Sequence, residues 1–198
     1  MGNRRALAPR CERCRLLAVR CLCAEIPALA TRTQVILVLH HNEADKPTNT
    51  GRLASLALTG SEWRVRGVKD APMSSAGFVV PERRSLVLYP RDDARVLDAA
   101  LVAEDPRPVT LIVPDANWNQ AARIVRREAV LAALPRVVLA RVAAAPLQVR
   151  QTSRADGVST IEAIAHALAI LGDAHATEPL LALHRMFVER TLAARGVL

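Results

Sequence analysis

Aromatic side chains are scarce in this chain of 198 residues, which has only two tryptophans, one tyrosine and two phenylalanines. Proteins that bind single-stranded nucleic acid along a series of stacked bases need several such side chains. The composition therefore argues against an extended base-stacking platform.

Several patterns that identify membrane segments or common cofactor loops are also missing. No uninterrupted apolar run approaches the roughly 20 residues that a membrane span needs, and residues 1–10 lack the apolar core of a secretory signal. We therefore expect a soluble, cytoplasmic protein with no membrane partner and no obligate protein partner. Neither G-x-G-x-x-G nor G-x-x-x-x-G-K-[ST] follows an apolar run, which argues against the usual dinucleotide and nucleoside-triphosphate loops.

Cysteine is absent after position 23. The four cysteines of the chain all lie within residues 11–23, as Cys11-x-x-Cys14 and Cys21-x-Cys23. Two close pairs separated by a short span let one loop surround a tetrahedral zinc ion. Disulfides or free thiols are the alternative, but adjacent pairs would close loops too small to stabilise much, and no signal directs the chain to an oxidising compartment. We predict one zinc held by these four thiolates.

The chain carries a formal charge of +8 and a sequence pI of about 10.5, which favours a polyanionic partner. Arginine supplies 25 of the 27 basic residues, and a GC-rich genome could produce that bias without selection for binding. However, seven basic and two acidic residues lie within residues 1–32, beside the cysteines. We predict that Arg13, Arg15 and Arg20 contact nucleic acid phosphates.

Short apolar runs alternate with segments of helical periodicity along the rest of the chain. Strands are predicted over residues 34–39, 85–89, 109–113 and 137–140, and helices over 52–58, 93–104, 117–134, 159–171 and 178–194, with an irregular stretch at 68–81. This alternation is typical of an α/β domain whose parallel sheet is covered by helices on both faces. We expect residues 1–30 to form a small zinc-binding lobe and residues 31–198 to form the α/β domain.

Ligands of such sheets bind beyond the carboxyl ends of the strands. Asp115 and Trp118 stand where the third strand gives way to a helix, so they are candidates for a site. The alternative is that Asp115 only caps that helix and Trp118 packs beneath it. A helix start would also direct backbone N–H groups at a ligand, so the two roles are compatible.

Two other polar segments are candidates for a site. The loop after the first strand is dense in groups capable of chemistry, namely His40, Glu43, Lys46, Asn49 and Thr50, although it could equally be a polar loop that satisfies its own backbone. Ser159 and Glu162 form a capping-box pattern, which helix formation alone would explain.

Five motifs in the same order make the chain resemble the DTW-domain family over nearly its whole length. They are the cysteine pairs ending in Ile26-Pro27, His40-x-x-Glu43-x-x-Lys46-x-x-Asn49-Thr50-Gly51, Leu88-Tyr89-Pro90, Asp115-x-Asn117-Trp118 and Ser159-Thr160-x-Glu162-Ala163. The chain departs from the family at one position, since Asn117 stands where the signature Asp-x-Thr-Trp or Asp-x-Ser-Trp has a hydroxyl residue.

The resemblance implies a tRNA-uridine aminocarboxypropyltransferase related to the SPOUT methyltransferases, with a trefoil knot in the carboxyl half of the sheet. S-adenosylmethionine would donate its 3-amino-3-carboxypropyl group to N3 of a tRNA uridine and leave as methylthioadenosine. The family implies catalytic candidates at Asp115, Trp118 and Glu43. Its adenine pocket would lie against Leu88, Tyr89, Pro90, Val113 and Pro114, next to Asp115.

The donor's amino-acid end has its own candidates, with Ser159 and Thr160 near the carboxylate and Glu162 near the ammonium. The candidates for binding tRNA phosphates and nucleotides are Arg13, Arg15, Arg20, His40, Lys46, Asn49, Thr50 and Arg52, with Arg123 and Arg126 as further positions. Two other functions fit the same sequence, namely methyl transfer from the same donor and zinc-dependent RNA binding without catalysis.

Overall fold

The computed structural model describes residues 8–140 and 158–197. The strands are β1 (Leu29–Ala30), β2 (Gln34–His40), β3 (Leu58–Thr59), β4 (Glu62–Arg66), β5 (Arg84–Leu88), β6 (Arg95–Val96), β7 (Val109–Asp115) and β8 (Arg136–Val138). The helices are α1 (His41–Ala44), α2 (Gly51–Ala57), α3 (Ala99–Ala103), α4 (Trp118–Arg127), α5 (Ala129–Ala133), α6 (Thr160–Ile170) and α7 (Thr177–Ala194). Short 3-10 turns cover Ala18–Arg20 and Ala174–Ala176.

A six-stranded sheet in the order β4-β2-β7-β5-β8-β6 forms the centre of the protein, and each neighbouring pair is parallel. Strands β2 and β7 are neighbours inside the sheet, with Leu39 opposite Asp115. Because parallel strands end at the same edge of a sheet, the polar segments that follow them meet there. The predicted parallel α/β sheet is confirmed.

Helices cover both faces of the sheet, as the unbroken apolar strands predict. On one face, Leu37 and Leu39 pack with side chains of α2, α6 and α7. On the other face, Ile36 and Val38 pack with side chains of α4 and α5. The alternation of β2 side chains between two clusters is the reason that this strand is apolar throughout.

The boundaries predicted around two helices are wrong. Strand β6 lies inside the segment 93–104, and helix α3 begins only after Asp98, whose carboxylate accepts from the backbone N–H of Leu101 at 2.8 Å. The segment 117–134 is two helices, because Glu128 has extended dihedrals (φ −83°, ψ 106°) between α4 and α5. Short edge pairing and a single non-helical residue leave little periodic signal, which is why the pattern missed them.

Pro114 does not end the third predicted strand, since β7 continues through it to Asp115. Pairing between β5 and β7 stops at Ile112, so the proline lies where one side of β7 has no ladder to interrupt. This extension carries Asp115 to the last position of a central strand.

The cysteine-bearing segment packs against the main domain. Leu16 and Leu22 are fully or almost fully buried and belong to the same apolar cluster as α7. The guanidinium of Arg190 donates to the carbonyl of Cys21 and to the carboxylate of Glu25, both at 2.6 Å. The segment therefore shares a core with the α/β domain, and its definition as a lobe of residues 1–30 stays a prediction.

The path of a knot depends on the complete chain trace, and residues 141–157 lie outside the described residues. Within residues 8–140 and 158–197, every helix falls short of the length and apolar content needed to cross a bilayer.

Asp173 fixes the amino end of β2 to the connection between α6 and α7. This carboxylate is buried and accepts from the backbone N–H groups of Arg32 and Thr33 at 2.8 and 3.0 Å. Asp173→Ala leaves the N–H of the buried Thr33 without this acceptor, whereas water can reach the exposed Arg32, so we expect a loss of about 1 to 3 kcal/mol in the free energy of unfolding. Asp92→Ala, at an exposed loop position, is the matched control and should cost less than about 0.5 kcal/mol. Chemical denaturation measures both, and equal stabilities of the two variants would contradict the anchor.

Candidate active site and metal centre

Asp115 is a buried carboxylate at the carboxyl end of the central strand β7, only 8% exposed. The hydroxyl of Thr160, the first residue of α6, donates to its Oδ1 at 2.8 Å. Gly51, the first residue of α2, lies against the other oxygen: a Cβ at this position would come within 2.3 Å of Oδ2 and 2.7 Å of Leu37 Cδ2. The carboxylate is therefore enclosed by the starts of two helices, and only glycine fits at position 51.

Asn117, not Asp115, caps helix α4, so the alternative interpretation, in which Asp115 serves only as a helix cap, is wrong. The side chain of Asn117 accepts from the backbone N–H of Gln120 at 2.9 Å, and Gln120 returns a hydrogen bond to the Asn117 N–H. Asn, Thr and Ser all cap helices well. The replacement of the hydroxyl residue by Asn117 therefore preserves the local structure that follows Asp115.

The start of helix α6 has the predicted capping box. Ser159 accepts from the backbone N–H of Glu162, and its own N–H donates to the Glu162 carboxylate at 2.7 Å. The other oxygen of Glu162 lies 3.8 Å from Nδ1 of His184 on α7, and both side chains are buried. Burial lowers the pKa of His184, and the neighbouring Glu162 carboxylate opposes this shift.

The segment after β2 folds into the short helix α1 and a turn, where a loop was predicted. Glu43 is buried and forms an ion pair with Lys46 at 2.5 Å. Asn49 is also buried and donates to the carbonyl of Glu43 while accepting from the backbone N–H of Arg52. Asn49 thus organises the turn that leads to Thr50 and the start of α2.

His40 lies at the end of β2, one residue beyond the pair Leu39 and Asp115. Its Nδ1 accepts from the backbone N–H of Asn42 at 3.2 Å, and Gln120 Nε2 lies 3.5 Å from the same atom. Burial, followed by the positive potential of neighbouring groups, lowers its pKa. The lowered pKa favours the neutral form of His40 near pH 7. Its ring lies near Gln120 of α4, at the carboxyl edge of the sheet.

The residues predicted for an adenine pocket lie on two adjacent strands. Leu88 is the last residue of β5 and precedes Tyr89 and Pro90. Val113 and Pro114 are the two residues of β7 before its last residue, Asp115. Tyr89 is buried, and its ring centroid lies 6.3 Å from that of Trp118, which is 36% exposed at the start of α4. The structure thus brings this group together at the same edge as Asp115.

Arg52 is buried beneath the edge of the sheet. Its guanidinium donates to the carbonyl of Ala44 at 2.5 Å and lies 4.6 Å from the ring centroid of Trp63. Burial lowers the pKa of this guanidinium, with a smaller contribution from Arg15. Arg52 thus has structural partners, and its assignment to RNA binding stays a prediction.

The candidate cations of the cysteine segment differ in their surroundings. Arg13 and Arg20 are exposed, whereas Arg15 has a left-handed backbone (φ 62°) and pairs with Asp45 at 2.6 Å. On helix α4, Arg123 and Arg126 are exposed. Lys46 is also exposed, although it pairs with Glu43.

The four cysteine sulfurs form a compact cluster that could hold a metal ion, with all four Sγ atoms within 4.8 Å of one another. The Sγ atoms of Cys11 and Cys23 are 3.5 Å apart, and those of Cys14 and Cys21 are 3.8 Å apart. A regular tetrahedron with zinc–sulfur bonds of about 2.3 Å has sulfur–sulfur edges of about 3.8 Å. The donor set and its spacing therefore fit zinc.

Three relationships at this edge were not predicted from the sequence. They are the hydrogen bond from Thr160 to Asp115, the requirement for Gly51 beside that carboxylate and the stacking of Arg52 on Trp63. Each joins residues of two different elements, so the pattern of a single helix or strand does not contain it. The arrangement as a whole can accept a proton or orient a polar group at Asp115, next to two helix starts.

Comparisons with known proteins identify one family and relatives that include the two described here. The family model described as "DTW domain" matches residues 8–192. The tRNA-uridine aminocarboxypropyltransferase 2 of Macaca fascicularis is 27% identical over 168 residues, and that of Mus musculus is 26% identical over 168 residues. Each alignment covers 82% of this chain but 56% of the relative, so the chain spans little more than half their length. No solved structure gives a significant match.

The family match covers most of the chain and includes each segment that meets at the carboxyl edge of the sheet. The resemblance seen in the five motifs is thereby confirmed, and this chain belongs to the DTW-domain family.

Proposed function

We propose that this protein is a tRNA-uridine aminocarboxypropyltransferase that uses S-adenosylmethionine as donor. The family membership and the names of the two relatives support this assignment. The observation that carries it is the placement of Asp115 at the carboxyl end of β7, beside the starts of α2 and α6. A cytoplasmic location is part of the same proposal.

In the proposed reaction, uridine N3 attacks the propyl carbon that is bonded to the donor sulfonium. The new N–C bond takes the electron pair of N3, the C–S bond breaks, and its electron pair stays on sulfur in methylthioadenosine. The N3 proton must leave, because the product nitrogen is substituted. The overall balance needs no oxidant, reductant or metal in the step.

Asp115 would accept or direct the N3 proton. Uridine N3 is a poor nucleophile while it is protonated, and a positioned carboxylate is a common general base. The hydrogen bond from Thr160 holds one oxygen, and Gly51 allows the backbone of α2 to approach the other. A carboxylate fixed in this way cannot rotate freely, so its orientation toward a bound base is set before binding. Trp118 and Glu43 stay candidates for positioning the reactants.

The donor would lie along the edge formed by β5, β7 and the start of α6. Its adenosine would contact Leu88, Tyr89, Pro90, Val113 and Pro114. Its carboxylate would meet the first turn of α6, near Ser159 and Thr160, where backbone N–H groups favour an anion. Glu162, proposed for the donor ammonium, is already bonded to the Ser159 N–H, so this contact would use the same carboxylate. Related folds bind this donor at a trefoil knot, and we propose a SPOUT-like knot here.

The tRNA would be held at the edges of this site. The exposed side chains of Arg13, Arg20 and Lys46 supply positive charge without strong burial. We also propose contacts to the nucleotides near the modified base from Arg15, His40, Asn49, Thr50 and Arg52. Arg15 would have to share its guanidinium with Asp45.

The helix cap at Asn117 argues against a decayed, purely RNA-binding protein. The side chain at this position performs its capping role as Thr or Ser would. The other carboxylates of the carboxyl edge also have partners: Asp115 accepts from Thr160, Glu43 pairs with Lys46, and Glu162 accepts from the Ser159 N–H.

Zinc is the proposed structural ion of the cysteine segment. Cys11, Cys14, Cys21 and Cys23 would bind it as thiolates, and four such ligands leave no open position for a catalytic water. The ion would hold the turn that carries Arg13 and Arg15 against α7 and the α1 segment.

Replacing Asp115 by Asn tests the catalytic role directly. Asn keeps an oxygen that can accept from Thr160 but is a far weaker base, so the fold should persist while the single-turnover rate of transfer falls roughly a hundredfold or more. Asn117→Thr restores the family signature and the cap, and should transfer at near the parental rate. If Asp115→Asn also transfers at that rate, the proposed role of Asp115 as proton acceptor is wrong.

The zinc proposal predicts one zinc per chain in reduced, purified protein. Cys14→Ser should release the metal and lower the melting temperature, since Cys14 and its neighbour Leu16 are buried in the main core. Val19→Ser is the matched control, because Val19 is 90% exposed in the same segment and should leave the metal content unchanged. Elemental analysis without zinc in the parental protein would exclude the site.

A further inference from the structure

Trp63 is 39% exposed and lies on β4, which is one of the two edge strands of the six-stranded sheet. A single exposed apolar residue is common on protein surfaces and needs no explanation by itself. Trp63 differs because its ring is already stacked with a buried cation. The guanidinium of Arg52 lies 4.6 Å from its centroid, and Arg52 is itself 9% exposed.

Arg52 occupies one side of the indole, so the exposed area belongs to the rest of the ring. An indole with a guanidinium on one face offers its other face to a second flat group. The guanidinium is held in turn by the carbonyl of Ala44 at 2.5 Å, and the backbone of Arg52 is held by Asn49. The stack is therefore fixed before any ligand binds.

This stack leads outward from the candidate reaction centre. Arg52 follows Gly51, which lies against the Asp115 carboxylate. On the sheet, Trp63 pairs with Leu37, two residues before Leu39, which pairs with Asp115. Two strand residues span roughly 7 Å, so the indole lies near the level of the site along the strands, on its outer edge.

Chemistry at uridine N3 restricts the shape of the RNA near this edge. N3 lies on the Watson–Crick edge of the base, so an enzyme can reach it only when the uridine is unpaired. Nucleotides beside an extruded or unpaired base lose stacking partners, and exposed aromatic side chains replace those partners in RNA-binding proteins. The net charge of the whole chain, +8, also favours RNA over a neutral or basic ligand.

We propose that the exposed face of Trp63 binds an unpaired nucleobase of the tRNA that neighbours the modified uridine. This inference rests on the proposed function and adds a contact that the sequence motifs do not contain. One such position suits a chain with few aromatics, because it needs a single stacking site and no platform. The contact would align the tRNA loop with Asp115 through the rigid path of Trp63, Arg52 and Gly51.

The test compares Trp63→Phe with Trp63→Leu in the full chain. Both side chains can cover Arg52, but only Phe can stack on a base. Loss of a stacked base weakens binding roughly 5- to 150-fold, so the Leu variant should bind tRNA that much more weakly than the parental protein, and the Phe variant should lie close to it. Affinity is measured with labelled tRNA at fixed salt concentration. Calorimetry with S-adenosylmethionine and thermal unfolding serve as controls that neither substitution should alter strongly.

Equal tRNA affinities of the two variants, at any level, would overturn the inference and make Trp63 a cover for Arg52. A parental protein that binds tRNA but does not transfer would instead refute the proposed function, while the Phe and Leu comparison would still decide the stacking contact. If the Leu variant fails to fold, Trp118→Phe leaves Trp63 as the one tryptophan of the chain. Binding of tRNA should then quench its fluorescence, and unchanged emission at saturation would overturn the proposal.

Discussion

The enclosure of the Asp115 carboxylate at the end of a central strand is the constraint on which the rest of the carboxyl edge depends. A buried carboxylate is costly unless hydrogen bonds or charges compensate for lost hydration. Thr160 supplies a donor from α6, and α2 can start against the carboxylate because residue 51 has no side chain. The packing of α2 and α6 against the sheet therefore also fixes the geometry of the Asp115 carboxylate. Asn117 completes the arrangement by starting α4 two residues later.

The surrounding segments extend this centre in two directions. Toward β5, Tyr89 and Trp118 line the edge where we propose that the donor binds. Toward β4, the turn fixed by Asn49 presents Arg52 to Trp63 and places Lys46 at the surface. The cysteine segment joins this second side through the ion pair of Arg15 with Asp45. Donor and tRNA would thus approach Asp115 from different sides, and an in-line displacement requires that uridine N3 and the donor sulfur lie on opposite sides of the propyl carbon.

Strong periodic patterns predicted the central strands and helices α6 and α7, because unbroken apolar runs and long amphipathic segments leave a clear local signal. Strand β4 was missed because the strands were identified by their apolar runs and β4 has none, although its sequence from Glu62 to Arg66 alternates polar and apolar residues as a half-exposed strand does. The candidate residues at the carboxyl edge were found because parallel strands end together, but their partners were not. The third strand was predicted to end at Val113, which made Asp115 a candidate cap for the following helix. The pairing of β7 with β2 extends the strand to Asp115, and the cap is Asn117.

The central claim is that the aminocarboxypropyl group of the donor is transferred to a tRNA uridine. The most direct measurement incubates the purified protein with tRNA and two preparations of S-adenosylmethionine, one labelled in the carboxyl carbon and one in the methyl group. After digestion to nucleosides, chromatography and mass spectrometry locate the label. The account predicts a modified uridine that carries the carboxyl label and no methyl label, with methylthioadenosine released in equal amount. Methyl label on the nucleoside, or release of adenosylhomocysteine, would contradict it.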